Sequence, residues 1–370
     1  MLHLEERFMA DTFGKLFKIT LFGESHSKAI GVVLDGVPAG LKLDMEEVGR
    51  EMARRAPGRN ALSTPRKEAD IPQIQSGFFN GHTTGTPLCA LIENTNTRSQ
   101  DYEPDLLRPS HADFTGKLRY DGYNDYRGGG HFSGRLTAPI VFAGAVAKQF
   151  LRQKNIRIAA HLERVKDICD ERFNPCRIDE TLVEKLPMRE LPVLNETVIA
   201  PMQEAILAAK ANGDSVGGVV ECAVFGDVLG LGSPFFESVE SRLSSMLFSV
   251  PAVKGVEFGT GFAISSMYGS EANDSFYLEN GTVRTKTNHN GGINGGIANG
   301  MPIIFRAAVK PTPSIAAEQS TVDVAKMQEC CMRVHGRHDP CIAHRAVYAI
   351  EAAAAVVMAD MALEAETYGK

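Results

Sequence analysis

Two histidines stand where the chain is expected to turn. Phe22-Gly23-Glu24-Ser25-His26-Ser27 follows the strand-like run Lys15–Leu21, which puts His26 in a tight turn at a strand end. His111 sits in Arg108-Pro109-Ser110-His111-Ala112-Asp113, where Pro109 stiffens the turn and flanking acceptors can fix the imidazole tautomer. A histidine so placed titrates near neutral pH and can deliver or take a proton. Taken alone, either is also readable as an ordinary turn residue bonded to backbone. The sharpest feature is Asp125-Tyr126-Arg127-Gly128-Gly129-Gly130-His131-Phe132-Ser133-Gly134-Arg135. Three consecutive glycines let backbone N–H groups approach an anion, and Arg127 and Arg135 add forked donors. A helix expected to start near Thr137 adds its positive end. The segment has no Gly-Lys-Ser/Thr tail, so it is not a Walker loop, and it is not the Gly-x-Gly-x-x-Gly fingerprint after a strand.

Further polar turns follow. Asn288-His289-Asn290-Gly291-Gly292-Ile293-Asn294-Gly295-Gly296 suits a flat polar ring lying on backbone. Lys310-Pro311-Thr312-Pro313-Ser314 makes a rigid turn with a cation and hydroxyls, and Gly336-Arg337-His338-Asp339-Pro340-Cys341 offers a cation, a base and a carboxylate. No His-x-x-x-His pair falls on a helix, so no metal site is expected. The chain carries a net charge of −6, yet Arg54, Arg55, Arg59, Arg66, Arg127, Arg135, Lys310 and Arg337 lie in or beside glycine-containing loops. That pattern predicts a concave cationic pocket for a small polyanion, not a basic outer face. A nucleic-acid or phosphoanion-binding module built on Arg-Gly-Gly-Gly is the alternative of a different class. Aromatic residues at 7%, with no tryptophan, leave few stacking platforms for it.

These turns need a scaffold. At 370 residues the chain can bury a substantial core. Strands are expected at Lys15–Leu21, Ile30–Leu34, Leu88–Ile92, Gly218–Phe225, Val256–Phe262 and Pro302–Val309. Helices are expected from the Asp44 cap to about Ala56, from Thr137 to about Lys154, and over Pro201–Gly213, Glu237–Val250, Val322–Val334 and Ala343–Glu366. The pattern is mixed α/β, and with no evident linker it favours one domain over two. No apolar stretch reads as a membrane span, and the N-terminus has no apolar signal core. Seven cysteines in no metal or redox spacing suit reduced thiols in the cytoplasm.

From about Phe13 onward the chain resembles the chorismate synthase family. The likeness rests on motifs in order: Phe22-Gly-Glu-Ser-His26, Asp35-Gly-Val-Pro-Ala-Gly40, Arg54-Arg-Ala-Pro-Gly58, Glu93-Asn-Thr95, Arg108-Pro-Ser-His-Ala-Asp113, Asp125-Tyr-Arg-Gly-Gly-Gly130, Val253-Lys-Gly-Val-Glu257, Lys310-Pro-Thr312 and Gly336-Arg-His-Asp-Pro-Cys341. It implies an N-terminal extension at 1–12 and a single domain at 13–370, with helices sandwiched between antiparallel-rich sheets, assembled as a homotetramer. The implied reaction converts 5-enolpyruvylshikimate 3-phosphate to chorismate and phosphate. It requires reduced FMN without net redox change and takes place in the cytoplasm. By resemblance His26 aids phosphate departure, His111 manages a proton on the flavin, and Asp339 lies near the flavin. Flavin contacts map to His131, Phe132, Ser133, Pro251, Ala252, Gly295, Lys310, Pro311, Thr312, Pro313, Ser314 and Arg337. Arg54 and Arg135 map to substrate binding, and Arg55 to a nicotinamide nucleotide position, with NADPH as a possible reductant. Ala61 departs from a basic residue at a second nucleotide contact, and His131-Phe132 stands where Arg-Ser is usual. The other enzyme reading is an FMN-dependent NAD(P)H flavin reductase.

Overall fold

The computed structural model describes residues 11–58, 62, 68–97, 100, 102–334 and 338–369. Strands β1 (Thr12–Phe13), β2 (Lys18–Gly23), β3 (Ala29–Asp35), β4 (Gln73–Ser76) and β5 (Leu88–Glu93) form one antiparallel sheet in the order β1-β2-β3-β5-β4. A second antiparallel sheet contains β6 (Ile156–Val165), β7 (Ile168–Cys169), β8 (Gly218–Gly226), β9 (Val253–Phe258) and β10 (Ile303–Val309), ordered β9-β10-β8-β6-β7. Ile30, Val32 and Leu34 alternate inward along β3, as a strand period of two requires.

Helices α1 (Met45–Arg55), α2 (Thr137–Gln153), α3 (Val239–Ser249) and α4 (Ala343–Thr367) lie between the sheets. The α2 helix packs on β3 and β5 and reaches β6, and α4 packs on β6 and β8, giving the expected sandwich. The two helices cross closely because Gly144 has no side chain; an added Cβ would stand 2.3 Å from the Cβ of Ala352. The Asp44 carboxylate caps α1, accepting from the backbone N–H of Glu46 and Glu47 at 2.9 Å each. By length and composition α4 could cross a membrane, but 94% of its most apolar stretch is buried inside the fold. A core helix that is apolar all round is expected to be buried in this way. Its two buried carboxylates act as clamps. Glu351 accepts from Lys148 Nζ at 2.7 Å. Asp360 accepts from three successive backbone N–H groups, those of Lys15, Leu16 and Phe17, at 2.9, 2.6 and 2.8 Å.

The structure corrects several expected elements. Val322–Val334 is not a helix; strands Gln319–Asp323 and Gln328–Met332 form a hairpin there. Asp323 caps the hairpin turn, accepting from Ala325 N at 3.1 Å and Lys326 N at 3.0 Å. A helix-start signal and a turn signal share this chemistry. Cys330 and Cys331 are accordingly on a strand. The expected strand Val256–Phe262 ends at Phe258, because Gly259 turns the chain at φ +56°. The longest strand, β6, was not foreseen, since Arg157, His161, Glu163 and Arg164 interrupt its apolar pattern.

Two of these residues, His161 and Glu163, are buried, while Arg157 and Arg164 face solvent. His161 is fully buried, with Nδ1 3.1 Å from Asp170 Oδ2 and Nε2 3.0 Å from Glu221 Oε2. Arg306 reaches Glu221 from β10, Nη1 to Oε1 at 3.4 Å. Burial disfavours the imidazolium, but its hydrogen bonds to both carboxylates outweigh that and raise the His161 pKa. A raised folded pKa contributes stability that is complete below the unfolded value of about 6.5 and disappears as pH climbs through the folded value. The stability gap between the wild type and His161→Gln should therefore narrow with rising pH on that limb. Thermal melts across the pH range measure this, and a gap independent of pH would contradict it.

Candidate active site

A cavity of about 890 Å³ opens between the first sheet, the start of α2, the end of α3 and the approach to α4. Its wall carries six cations, Arg55, Arg108, Arg135, Lys254, Lys310 and Arg345, against two carboxylates, Asp11 and Asp339. A cation-rich concavity in a chain of net charge −6 matches the pocket expected from the loops.

The floor is built around Asp70. Arg55 donates from Nη1 to Asp70 Oδ2 at 2.6 Å, from Nε to Thr137 Oγ1 at 3.0 Å and from Nη2 to the Gly134 carbonyl at 2.9 Å. Arg135 donates from Nη1 to Asp70 Oδ1, from Nε to Asn94 Oδ1 at 3.0 Å and from Nη2 to the Glu93 carbonyl at 3.1 Å. Burial opposes ionisation of Asp70, but the two guanidiniums hold its carboxyl below the usual range. Burial lowers the Arg55 pKa to about 10, with the charges of Arg345 and Arg135 adding to the shift against Asp70. Arg345 Nη1 donates to Asp339 Oδ2 at 2.6 Å and its Nε to the Arg55 carbonyl at 3.1 Å.

The opposite wall holds His111. Arg108 grips Asp113 with a fork, Nε to Oδ2 at 2.8 Å and Nη2 to Oδ1 at 2.6 Å. His111 Nδ1 lies 2.8 Å from Asp113 Oδ1. Burial opposes the Asp113 charge, yet the hydrogen bonds from His111 and Arg108 keep its carboxyl well below the usual range. Arg108 Nη2 lies 3.2 Å from the same His111 Nδ1, so carboxylate and guanidinium together hold the imidazole in place. Beside it, Lys310 Nζ donates to the Ser110 carbonyl at 2.7 Å. Burial lowers the Lys310 pKa, and the neighbouring Lys254 charge lowers it further. Two cations that repel one another are relieved by an anion between them. The buried Thr312 Oγ1 has no hydrogen-bond partner in the fold and lies in the same turn.

His26 does not line the cavity; it lies immediately behind Gly128, edge-on to Tyr102 at 5.3 Å. Ser25 Oγ is 3.1 Å from His26 Nδ1 and donates to the Arg127 carbonyl at 3.1 Å. His131 reaches the wall with both nitrogens engaged, Nδ1 with the Gly23 carbonyl at 2.8 Å and Nε2 with Asp11 Oδ1 at 3.0 Å. Its ring thus ties β2 to the preceding segment. Phe132, Ser133, Pro251, Ala252, Pro313, Ser314 and Asp339 all line the cavity, but Pro311 does not.

Two expected contacts lie elsewhere. Arg54 is one helical step of 100° from Arg55, which turns it toward α4. There it pairs with Glu51 at 2.8 Å and Glu351 at 3.5 Å and stacks over Tyr348, so it does not line the cavity. Gly295 turns a small hairpin, Ile293–Asn294 with Ile297–Ala298, whose Gly296 carbonyl accepts from Val239 N. That contact is at the start of α3, whereas the cavity lining on this helix begins at Ser245, about 9 Å further along at about 1.5 Å per residue. Arg337, with Arg59, Ala61 and Arg66, lies outside the described residues. Arg345, Lys254 and Asp70 were missed. Arg345 is a single cation in an alanine-rich helix, Lys254 sits within a strand, and Asp70 is an isolated acid in a loop.

The family model for chorismate synthase matches residues 17–363. The chain is 45% identical over 350 residues to chorismate synthase of Thermococcus kodakarensis, covering 94% of this chain and 96% of that one. It is 47% identical to the Pyrococcus abyssi protein of the same name, with coverage of 94% and 96%. Its fold is similar to a solved structure described as a crystal structure of chorismate synthase, with a TM-score of 0.76 at 28% identity, covering 95% of this chain and 93% of that one. Family match, near full-length identity and shared fold agree: the chain belongs to the chorismate synthase family.

Proposed function

We propose that this enzyme eliminates phosphate from 5-enolpyruvylshikimate 3-phosphate in the anti-1,4 sense, giving chorismate, with reduced FMN required and regenerated. The observation that carries the reading is the cation-lined cavity with His111 on its wall and His26 behind its glycine loop. The substrate has a phosphate and two carboxylates, and the cofactor adds another phosphate. Arg345, Lys254 and Lys310 line the cavity for such anions, while Arg135, with Nε, Nη1 and Nη2 all on protein acceptors like those of Arg55, holds the floor. The lysine pair and the unpartnered Thr312 hydroxyl suit the phosphate of FMN, while Phe13, Leu21 and Phe248 give apolar wall for its ring. When bound, reduced FMN supplies an electron to the substrate and recovers it. His26 assists the leaving phosphate from behind Gly128. His111, held by Asp113 and Arg108, moves a proton at its ring. Asp339, held by Arg345, stays oriented toward the cavity.

Arg55 directs Nε, Nη1 and Nη2 at protein acceptors, which argues for a structural role. We therefore read the reductant as coming from outside this chain, not from NADPH held by Arg55. The seven unpaired cysteines suit a reducing cytoplasm. The reading is tested by an anaerobic assay with dithionite-reduced FMN: chorismate and phosphate should appear together, and their absence would sink it.

A homotetramer is part of the same proposal. Phe235 and Phe236 are 87% and 90% exposed, and Phe262, Phe276 and Leu278 are also open. Large aromatic side chains left in water mark association surfaces. Sedimentation should report about four times 40.1 kDa; a stable, active monomer would contradict it.

A further inference from the structure

We propose that Gly128 and Gly129 are positioning residues that set the placement of His26 and His111 relative to each other. The inference rests on the reading that these two histidines serve the reaction. The triple glycine is a left-handed turn, with φ of +62°, +86° and +52° at Gly128, Gly129 and Gly130. A Cβ added at Gly128 would stand 2.1 Å from Cε1 and 2.2 Å from Nδ1 of His26. One added at Gly129 would stand 3.1 Å from Cε1 and Nε2 of His111. Two imidazoles from segments 85 positions apart in sequence thus rest on adjacent residues, whose Cα atoms are about 3.8 Å apart.

The turn is itself fixed to the strand that carries His26. Ser25 N donates to the Gly130 carbonyl at 3.1 Å, Ser25 Oγ to the Arg127 carbonyl at 3.1 Å, and His131 Nδ1 lies 2.8 Å from the Gly23 carbonyl. Gly130 closes the far end, because a side chain there would meet the Asp125 carbonyl oxygen at 1.9 Å. The turn therefore has little freedom to back away from either ring. A methyl at 128 must displace His26 by on the order of 1 Å, a misplacement that can cost about 10²-fold in rate. At 129 the contact is looser, so the loss is smaller and falls on His111.

The test combines kinetics with histidine NMR. Gly128→Ala should lower kcat by about 10²-fold with little change in FMN affinity or KM, and should shift the His26 imidazole resonances. Gly129→Ala, whose milder crowding spares folding, should shift those of His111. Gly122→Ala controls for backbone strain, since Gly122 has φ +78° but open space beyond it; it should leave kcat and both sets of resonances in place. In the His26→Ala background, Gly128→Ala should cost far less, because the ring it displaces is gone and only Ser25 Oγ, 2.7 Å from the added Cβ, has to yield. Unmoved His26 resonances and wild-type kcat in Gly128→Ala would overturn the proposal, as would an equal loss in both backgrounds. If the wild type makes no chorismate, the reaction assignment falls, while shifted resonances would still establish the positioning role.

Discussion

His111→Ala lowers kcat by about 10²–10⁴-fold while FMN and substrate affinity change little, and His26→Ala does the same. The expected size is that of a general acid–base group. Neither imidazole is a main anchor for anions; that work falls to Arg345, Lys254 and Lys310. The two variants differ in what they leave behind. Removing His111 leaves Asp113 gripped by Arg108, with that carboxylate still neutralised. Removing His26 leaves a gap behind Gly128 and beside Tyr102. Asp113→Asn tests the support of His111 separately. A carboxamide keeps the shape but removes the charge that Arg108 and His111 share, so turnover should fall although His111 is intact. Steady-state kinetics with independent FMN titration separate these effects. A loss confined to KM would contradict the assignment.

Asp70→Asn should destabilise the protein by about 3–5 kcal/mol, the usual cost of removing one partner from a buried ionic cluster. Its carboxylate is the shared counter-ion of Arg55 and Arg135, and its side chain has no solvent exposure. The amide keeps the shape and removes the charge, leaving two guanidiniums side by side in a buried site. Since its folded pKa is lowered, the Asp70 contribution is present above the unfolded pKa of about 3.9 and disappears as pH falls through the folded value. The wild type and Asp70→Asn should therefore converge in stability toward strong acid. Substrate KM should rise as well, because the cavity floor that Arg55 and Arg135 build loses its shared counter-ion. Denaturant melts and kinetics on the same preparation provide the check; unchanged stability near neutral pH would refute the shared-counter-ion account.

Much of the scaffold was legible because local chemistry and tertiary packing agree. The Asp44 cap starts α1 where its sequence says, and the alternation along β3 survives in the sheet. The hairpin at Gln319–Met332 failed because Asp323 serves a turn as well as it would a helix start, and only pairing with Leu106 and Leu107 decides between them. In the site, a cationic pocket could be inferred from arginines and lysines in glycine loops. Which arginine faces the cavity could not: Arg54 and Arg55 are adjacent letters, and the 100° step of the helix separates a core ion pair from the cavity floor. The triple glycine was read as room for an anion. Its Cα atoms instead make room for two imidazoles, a relation between residues roughly a hundred or twenty positions apart that no local pattern encodes. Asp70 was invisible for the same reason, since its importance comes from two arginines brought to it by other elements.

The central claim is a reaction that needs reduced flavin but oxidises nothing overall. Substrate, chorismate and phosphate balance without any electrons left over, and no second substrate is required. The direct measurement is product counted per flavin under strict anaerobiosis, with excess 5-enolpyruvylshikimate 3-phosphate and a limiting amount of pre-reduced FMN. Many equivalents of chorismate should form per flavin, with phosphate in equal amount and the reduced-flavin absorbance intact when substrate is exhausted. Consumption of one reducing equivalent for each product formed would contradict the account and make the protein a reductase.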